Sequence, residues 1–148
     1  MKIFMELLIS LFTILFLIGA ISFLRPSKKM KALSAVRMSA SKEGFKIGST
    51  NELRKKFKNW TPQVAIYQIK NTSDHKNLHY LRIKNELKLY EPISFKYEKQ
   101  FQIVEEKISK LPSSVLEIIF YQSNIAIVWN EMLGIEELLK IKNAVLEI

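Results

Sequence analysis

Two histidines, His75 and His79, stand four residues apart. On a helix that spacing would put both imidazoles on one face, where a third ligand would complete a metal site. The nearest third group is Asp74, the chain's single aspartate. The surrounding Asn71-Thr-Ser-Asp-His is instead turn-rich, leads into an alternating apolar run, and lacks an HExxH spelling. Both histidines are therefore expected at the surface with no metal. The pairs Glu105/Glu106 and Glu136/Glu137 fall in helical patterns, where neighbours point about 100° apart, so they read as solvated faces. Ser113 and Ser114 follow Pro112 with no identifiable base and read as turn residues. The only glycines are at positions 19, 44, 48 and 134, which excludes the glycine-rich nucleotide loops in their standard form. Without cysteine there is no disulfide, thiolate nucleophile or iron–sulfur cluster. No catalytic set and no cofactor motif emerges, and an enzyme is not expected.

What the chain does announce is a membrane segment. Leu7 to Leu24 is 18 residues without a charge, about 27 Å as a helix, enough to cross a hydrocarbon core. Its many Leu, Ile and Phe side chains favour insertion by roughly 4 kcal/mol after discounting the ends. Ser10, Thr13 and Ser22 can bond back to helix carbonyls, and Glu6 lies at the outer edge. A cleaved signal peptide is the competing reading. It fits less well, because the apolar run is long and the nearest small-residue site, Ile18-Gly-Ala20, has a bulky residue at its first position.

The charge is distributed unevenly. The chain carries 23 Lys and Arg against 14 Asp and Glu, a net of +9, with 48% hydrophobic residues. Residues 25–58 hold 11 basic groups and two acids, whereas residues 59–148 hold 11 of each. Lys2 alone precedes the apolar run, while Arg25, Lys28, Lys29, Lys31 and Arg37 follow it before any acid. Positive charge is retained on the cytoplasmic side, so the C-terminal part is expected there; an extracytoplasmic placement is the alternative. Arg25, Lys28, Lys29 and Lys31 are expected to meet anionic lipid, and residues 25–48 read as a basic flexible tether. A second basic cluster, Arg54, Lys55, Lys56 and Lys58, sits on a short helix opened by a capping-box pattern from Ser49 to Glu52. It suits an anionic lipid surface, or a solvated face whose Leu53, Phe57 and Trp60 enter the core; a nucleic-acid patch is the weakest reading.

Residues 49–148 then read as one α+β domain with a mainly antiparallel sheet and covering helices: short helix, three strands, helix, two strands, helix. Val64–Ile69 alternates as a buried strand. Leu78–Ile83 and Glu86–Tyr90 form a hairpin around Lys84-Asn85, with Leu81 and Ile83 facing Leu87 and Leu89, although a helix would also suit that spacing. Tyr97, Phe101, Val104, Ile108 and Leu111 define an amphipathic helix stopped by Pro112. Val115–Tyr121 and Ile125–Trp129 make a second, apolar hairpin, with Glu117 expected near an edge. Leu133 to Val145 closes the chain as a helix with Glu136 and Lys140 placed for an ion pair. Asn71-Thr-Ser is also a glycosylation sequon by spelling.

The opening Met5-Glu-Leu-Leu-Ile-Ser-Leu-Phe-Thr-Ile-Leu-Phe-Leu-Ile-Gly19 resembles the N-terminal helix of type IV pilins and pseudopilins, in which a glutamate precedes a long apolar helix leading into a small α+β domain. The resemblance covers about 20 residues and would match Glu6 to that glutamate. The chain departs from it in having no glycine before the helix and almost no leader. The functional expectation is therefore a membrane-anchored, non-catalytic interaction module at the cytoplasmic surface, with an unidentified protein as a possible partner. An envelope or secretion component, pilin-like or secreted with the domain outside, and an unrecognised enzyme are the alternatives.

Overall fold

A computed structural model describes residues 1–48 and 51–148. Ser49, where the expected capping box begins, lies outside the described residues. The chain divides into two compact units, Met1–Ala32 and Leu33–Ile148.

The first unit is dominated by α1 (Lys2–Leu24), a helix of 23 residues none of which is buried. It is long and apolar enough to cross a membrane. Two of its hydroxyls are satisfied locally, Ser10 Oγ donating to the Glu6 carbonyl at 2.8 Å and Thr13 Oγ1 to that of Ile9 at 2.5 Å. Arg25 adopts an extended conformation ahead of Pro26 and ends the helix.

The stretch 25–48, expected as a tether, is largely ordered secondary structure. Ser27 caps α2 (Lys28–Lys42), its Oγ accepting from the Met30 N–H at 3.2 Å. Leu33, Val36 and Ala40 recur at steps of three and four; Val36 packs partly against the core and Ala40 is fully buried in it. Gly44, in the left-handed region at φ +90°, lets the Phe45 N–H return to the Ala40 carbonyl at 3.0 Å and turns Phe45 into the core. The two-residue strand β1 (Lys46–Ile47) follows. Sequence reasoning missed this because the apolar stripe is three small or medium residues among many Lys and Ser.

The remaining elements appear in the expected order: α3 (Asn51–Lys56), β2 (Ala65–Lys70), β3 (Leu78–Ile83), β4 (Glu86–Glu91), α4 (Phe101–Ser109), β5 (Val115–Phe120), β6 (Asn124–Trp129) and α5 (Gly134–Leu146). The strands form one six-stranded sheet in the order β1-β2-β6-β5-β3-β4, every neighbouring pair antiparallel. One face carries Tyr67, Tyr80, Leu89, Ile118, Phe120, Ile127 and Trp129, which share a core with Val104 and Ile108 of α4 and Leu138, Ile141 and Val145 of α5. The opposite face carries a smaller cluster, Ile66, Ile119, Ala126 and Val128, closed by Phe57 with Leu53 and Trp60 alongside. The β5–β6 hairpin is apolar on both faces because it lies at the centre of the sheet, covered on each side.

Several local expectations are corrected. In the β3–β4 hairpin Leu81 lies opposite Lys88 and Ile83 opposite Glu86, so Leu87 and Leu89 face Arg82 and Tyr80 instead. Register and pleat put Leu81 and Ile83 on the other face. Tyr97 is exposed in a 3-10 turn (Ile93–Tyr97) rather than in α4. Lys140 pairs with Glu137 at 3.7 Å, not with Glu136. Asn71 uses its amide within the fold, donating to the carbonyls of His75 at 2.9 Å and Tyr121 at 2.7 Å, which occupies the nitrogen a glycan would need.

Candidate functional site

Glu117 lies in a central strand and is fully buried, which overturns its expected edge position. A buried carboxylate needs donors on both oxygens. Here the backbone supplies most of them: the Lys58 N–H reaches Oε1 at 3.0 Å and Oε2 at 2.9 Å, and the Asn59 N–H reaches Oε2 at 2.7 Å. His79 Nε2 completes the set at 2.5 Å from Oε1. A carboxylate accepts only, so this ring nitrogen carries the proton of the contact. Asn59 adds two side-chain bonds, to the carbonyls of Arg82 at 3.2 Å and Leu116 at 2.9 Å. Glu117 thus straps residues 57–60 onto the sheet and fixes where α3 and its lysines stand.

His79 is correspondingly buried, at 4% exposure, and the surface position expected for it is wrong. It lies in β3 with its ring edge-on to Tyr90 at 5.0 Å and its Nδ1 3.5 Å from the Glu91 carboxylate. His75 is half-buried in the preceding loop, its ring against Phe95 at 6.4 Å. Among the described residues no three His, Asp or Glu side chains gather as a metal set.

Over this strap opens a cleft of about 660 Å³, walled by Leu78, His79, Tyr90, Glu91, Ile119 and Tyr121, with Lys55, Lys56 and Lys58 also lining it. Lys56 Nζ sits 5.3 Å from the Tyr121 ring centre and Lys58 Nζ 6.0 Å from that of Tyr90, contacts within or at the edge of cation–π range. Burial, reinforced by the Glu117 charge, pushes the Tyr121 hydroxyl above its ordinary range. That hydroxyl is buried without a hydrogen-bond partner among the described residues. No protein-family model, curated protein or solved structure matches the chain. The site is read from its own chemistry.

The two basic clusters are used differently. Arg25, Lys28, Lys29 and Lys31 are exposed in the first unit. In the second, Arg54 lays its guanidinium over Trp60 at 4.7 Å, while Lys55, Lys56 and Lys58 border the cleft. Ser114, a turn residue by sequence, donates to Glu137 at 2.7 Å.

Arg37, read from sequence as one more flanking charge, has a structural task. Its Nε and Nη2 grip Glu131 at 3.0 and 2.5 Å, and the Tyr67 hydroxyl donates to the same carboxylate at 2.9 Å. Burial opposes ionisation of Glu131, but the hydrogen bonds from Arg37 and Tyr67 and the Arg37 charge outweigh it and hold the carboxyl below its usual range. A carboxyl whose folded value is depressed stabilises the fold above its unfolded value and loses that contribution as pH falls through the folded one. Arg37 is half-exposed, so Arg37→Met is expected to cost only about 1 kcal/mol near neutral pH. Urea unfolding should show the gap between variant and parent closing as the pH is lowered below the ordinary carboxylate range. A gap unchanged on acidification would remove Glu131 as its origin.

Proposed function

We propose that the protein is a single-pass membrane protein whose C-terminal domain is a non-catalytic binding module on the cytoplasmic side. The observation that carries this reading is α1, a helix of 23 residues, none of them buried, that is long and apolar enough to cross a membrane. In water such a surface is costly, and a bilayer removes the cost. The cationic run Arg25, Lys28, Lys29 and Lys31 supports the cytoplasmic side and contributes about 1 kcal/mol per residue of attraction to an anionic leaflet before screening.

The domain supports binding rather than turnover in its side-chain pairings. The one buried histidine is turned toward carboxylates, and the Ser114 hydroxyl is engaged by Glu137. Among the described residues no hydroxyl pairs with an imidazole, since His79 bonds only to the Glu117 and Glu91 carboxylates.

The absence of cysteine allows a clean topology experiment. Ser73 is bonded to Asn71, so the exposed neighbour Thr72 is the better site. In cells expressing Thr72→Cys, the protein is expected to stay in carbonate-washed membranes at its full 17.3 kDa. A membrane-impermeant maleimide should label it only after lysis. Release by carbonate or loss of the N-terminal mass would refute the anchor, and labelling of intact cells would refute the cytoplasmic side and favour an envelope component.

A further inference from the structure

We infer that the cleft between α3 and the β4–β3–β5 part of the sheet is a binding site for a phosphate monoester. The inference deepens the reading of the domain as a binding module and rests on it only for the absence of turnover. Three ammonium groups, Lys55, Lys56 and Lys58, border a single concavity. None of the three makes an ion pair among the described residues. Among the described residues the only carboxylate lining the cleft is Glu91, which lies 3.5 Å from His79 Nδ1, while the Glu117 charge is covered by two backbone N–H groups and His79 Nε2. The cleft therefore presents excess positive charge, and it does so on a fixed frame. Phe57 is buried between Lys56 and Lys58, and the strap beneath is bonded to the sheet.

A doubly charged, compact anion suits three ammonium point charges better than a planar carboxylate, which favours the fork of an arginine. Tyr121 contributes its ring to the same wall, with Lys56 Nζ 5.3 Å from its centre. At about 660 Å³ the cleft falls in the range of small-molecule sites and exceeds a phosphate group several-fold, so the phosphate is carried on a larger body. Ile119 and the rings of Tyr90 and Tyr121 give that body apolar walls. A soluble organic phosphate and the headgroup of a lipid such as phosphatidic acid share this chemistry.

The test uses the full chain in nanodiscs of phosphatidylcholine, titrated by calorimetry with phenyl phosphate and, separately, with phenol. Phenyl phosphate should bind, phenol should bind at least about tenfold more weakly, and added salt should weaken the phosphate complex. The variant Lys55→Gln/Lys56→Gln/Lys58→Gln should lose about tenfold or more in affinity, each exposed charge contributing a few-fold. Lys70→Gln/Lys99→Gln/Lys110→Gln, with the same change in net charge outside the cleft, should bind as the parent does. In discs that also contain phosphatidic acid, weakened phenyl phosphate binding would identify the lipid as an occupant, and unchanged binding would identify a soluble ligand. Equal affinity for phenol and phenyl phosphate, or equal losses in the two triple variants, would overturn the proposal and leave the anchor untouched. Release of phosphate from phenyl phosphate would sustain the site and refute the non-catalytic reading instead.

Discussion

Glu117→Ala is expected to destabilise the domain by about 3–5 kcal/mol, the cost of leaving three buried donors without the carboxylate that accepts from them. The substitution strips acceptors from the Lys58 and Asn59 N–H groups and from His79 Nε2 at once, and Glu117 is wholly shielded from water that could replace them. Urea unfolding of the full chain in mild detergent reads the loss. A double-mutant cycle with His79→Phe should show that the two costs do not add, because either change alone leaves a buried polar group unpaired. The effect should also be local, with faster amide exchange at residues 57–60, whose hydrogen bonds to the sheet run through Glu117 and Asn59. A Glu117→Ala variant within about 1 kcal/mol of its parent would mean that the carboxylate is not what fastens the strap.

The contrast between what could and could not be read ahead follows from which atoms make each contact. The strands and α4 and α5 are written in side-chain periodicity, and Val104 and Ile108 or Leu138 and Ile141 take the buried places that their spacing assigns. The sheet's antiparallel nature followed from short loops between strands. Glu117 was legible only as an anomaly, one acid inside Val-Leu-Glu-Ile-Ile-Phe. Its resolution was hidden, because two of its three partners are backbone N–H groups that carry no residue signature. His79 was misplaced for the same reason: its polarity was visible, but not the carboxylate 38 residues later that satisfies it. The cleft lysines were noticed as a cluster, yet only the fold brings them beside Tyr90 and Tyr121 from β4 and the end of β5. In α2 the missed signal was Ser27 as a helix cap and Gly44 as a stop, both readable in principle.

Trp129→Ala is expected to cost a similar amount, about 3–5 kcal/mol, through a cavity that the surroundings cannot close. The indole is fully buried at the end of β6, and its cross-strand neighbours are Ala65 on β2 and Val115 on β5. Neither is large enough to fill the space. Tyr67 rests on it edge-on, ring centres 5.2 Å apart and planes at 82°, and Phe45 packs against Tyr67 at 6.0 Å. The Tyr67 hydroxyl in turn donates to Glu131, the carboxylate that Arg37 of α2 grips. Loss of the indole should therefore reach past the core and loosen α2 from Leu33 onward, the stretch through which the chain enters the domain. Two measurements separate this from general destabilisation: the urea midpoint, and hydrogen exchange at residues 33–45 under conditions where the variant is still folded. Trp129→Phe should recover part of the stability and most of the protection, because a smaller ring still supports Tyr67. Uniform exchange across the domain would show that α2 is held independently of the aromatic stack.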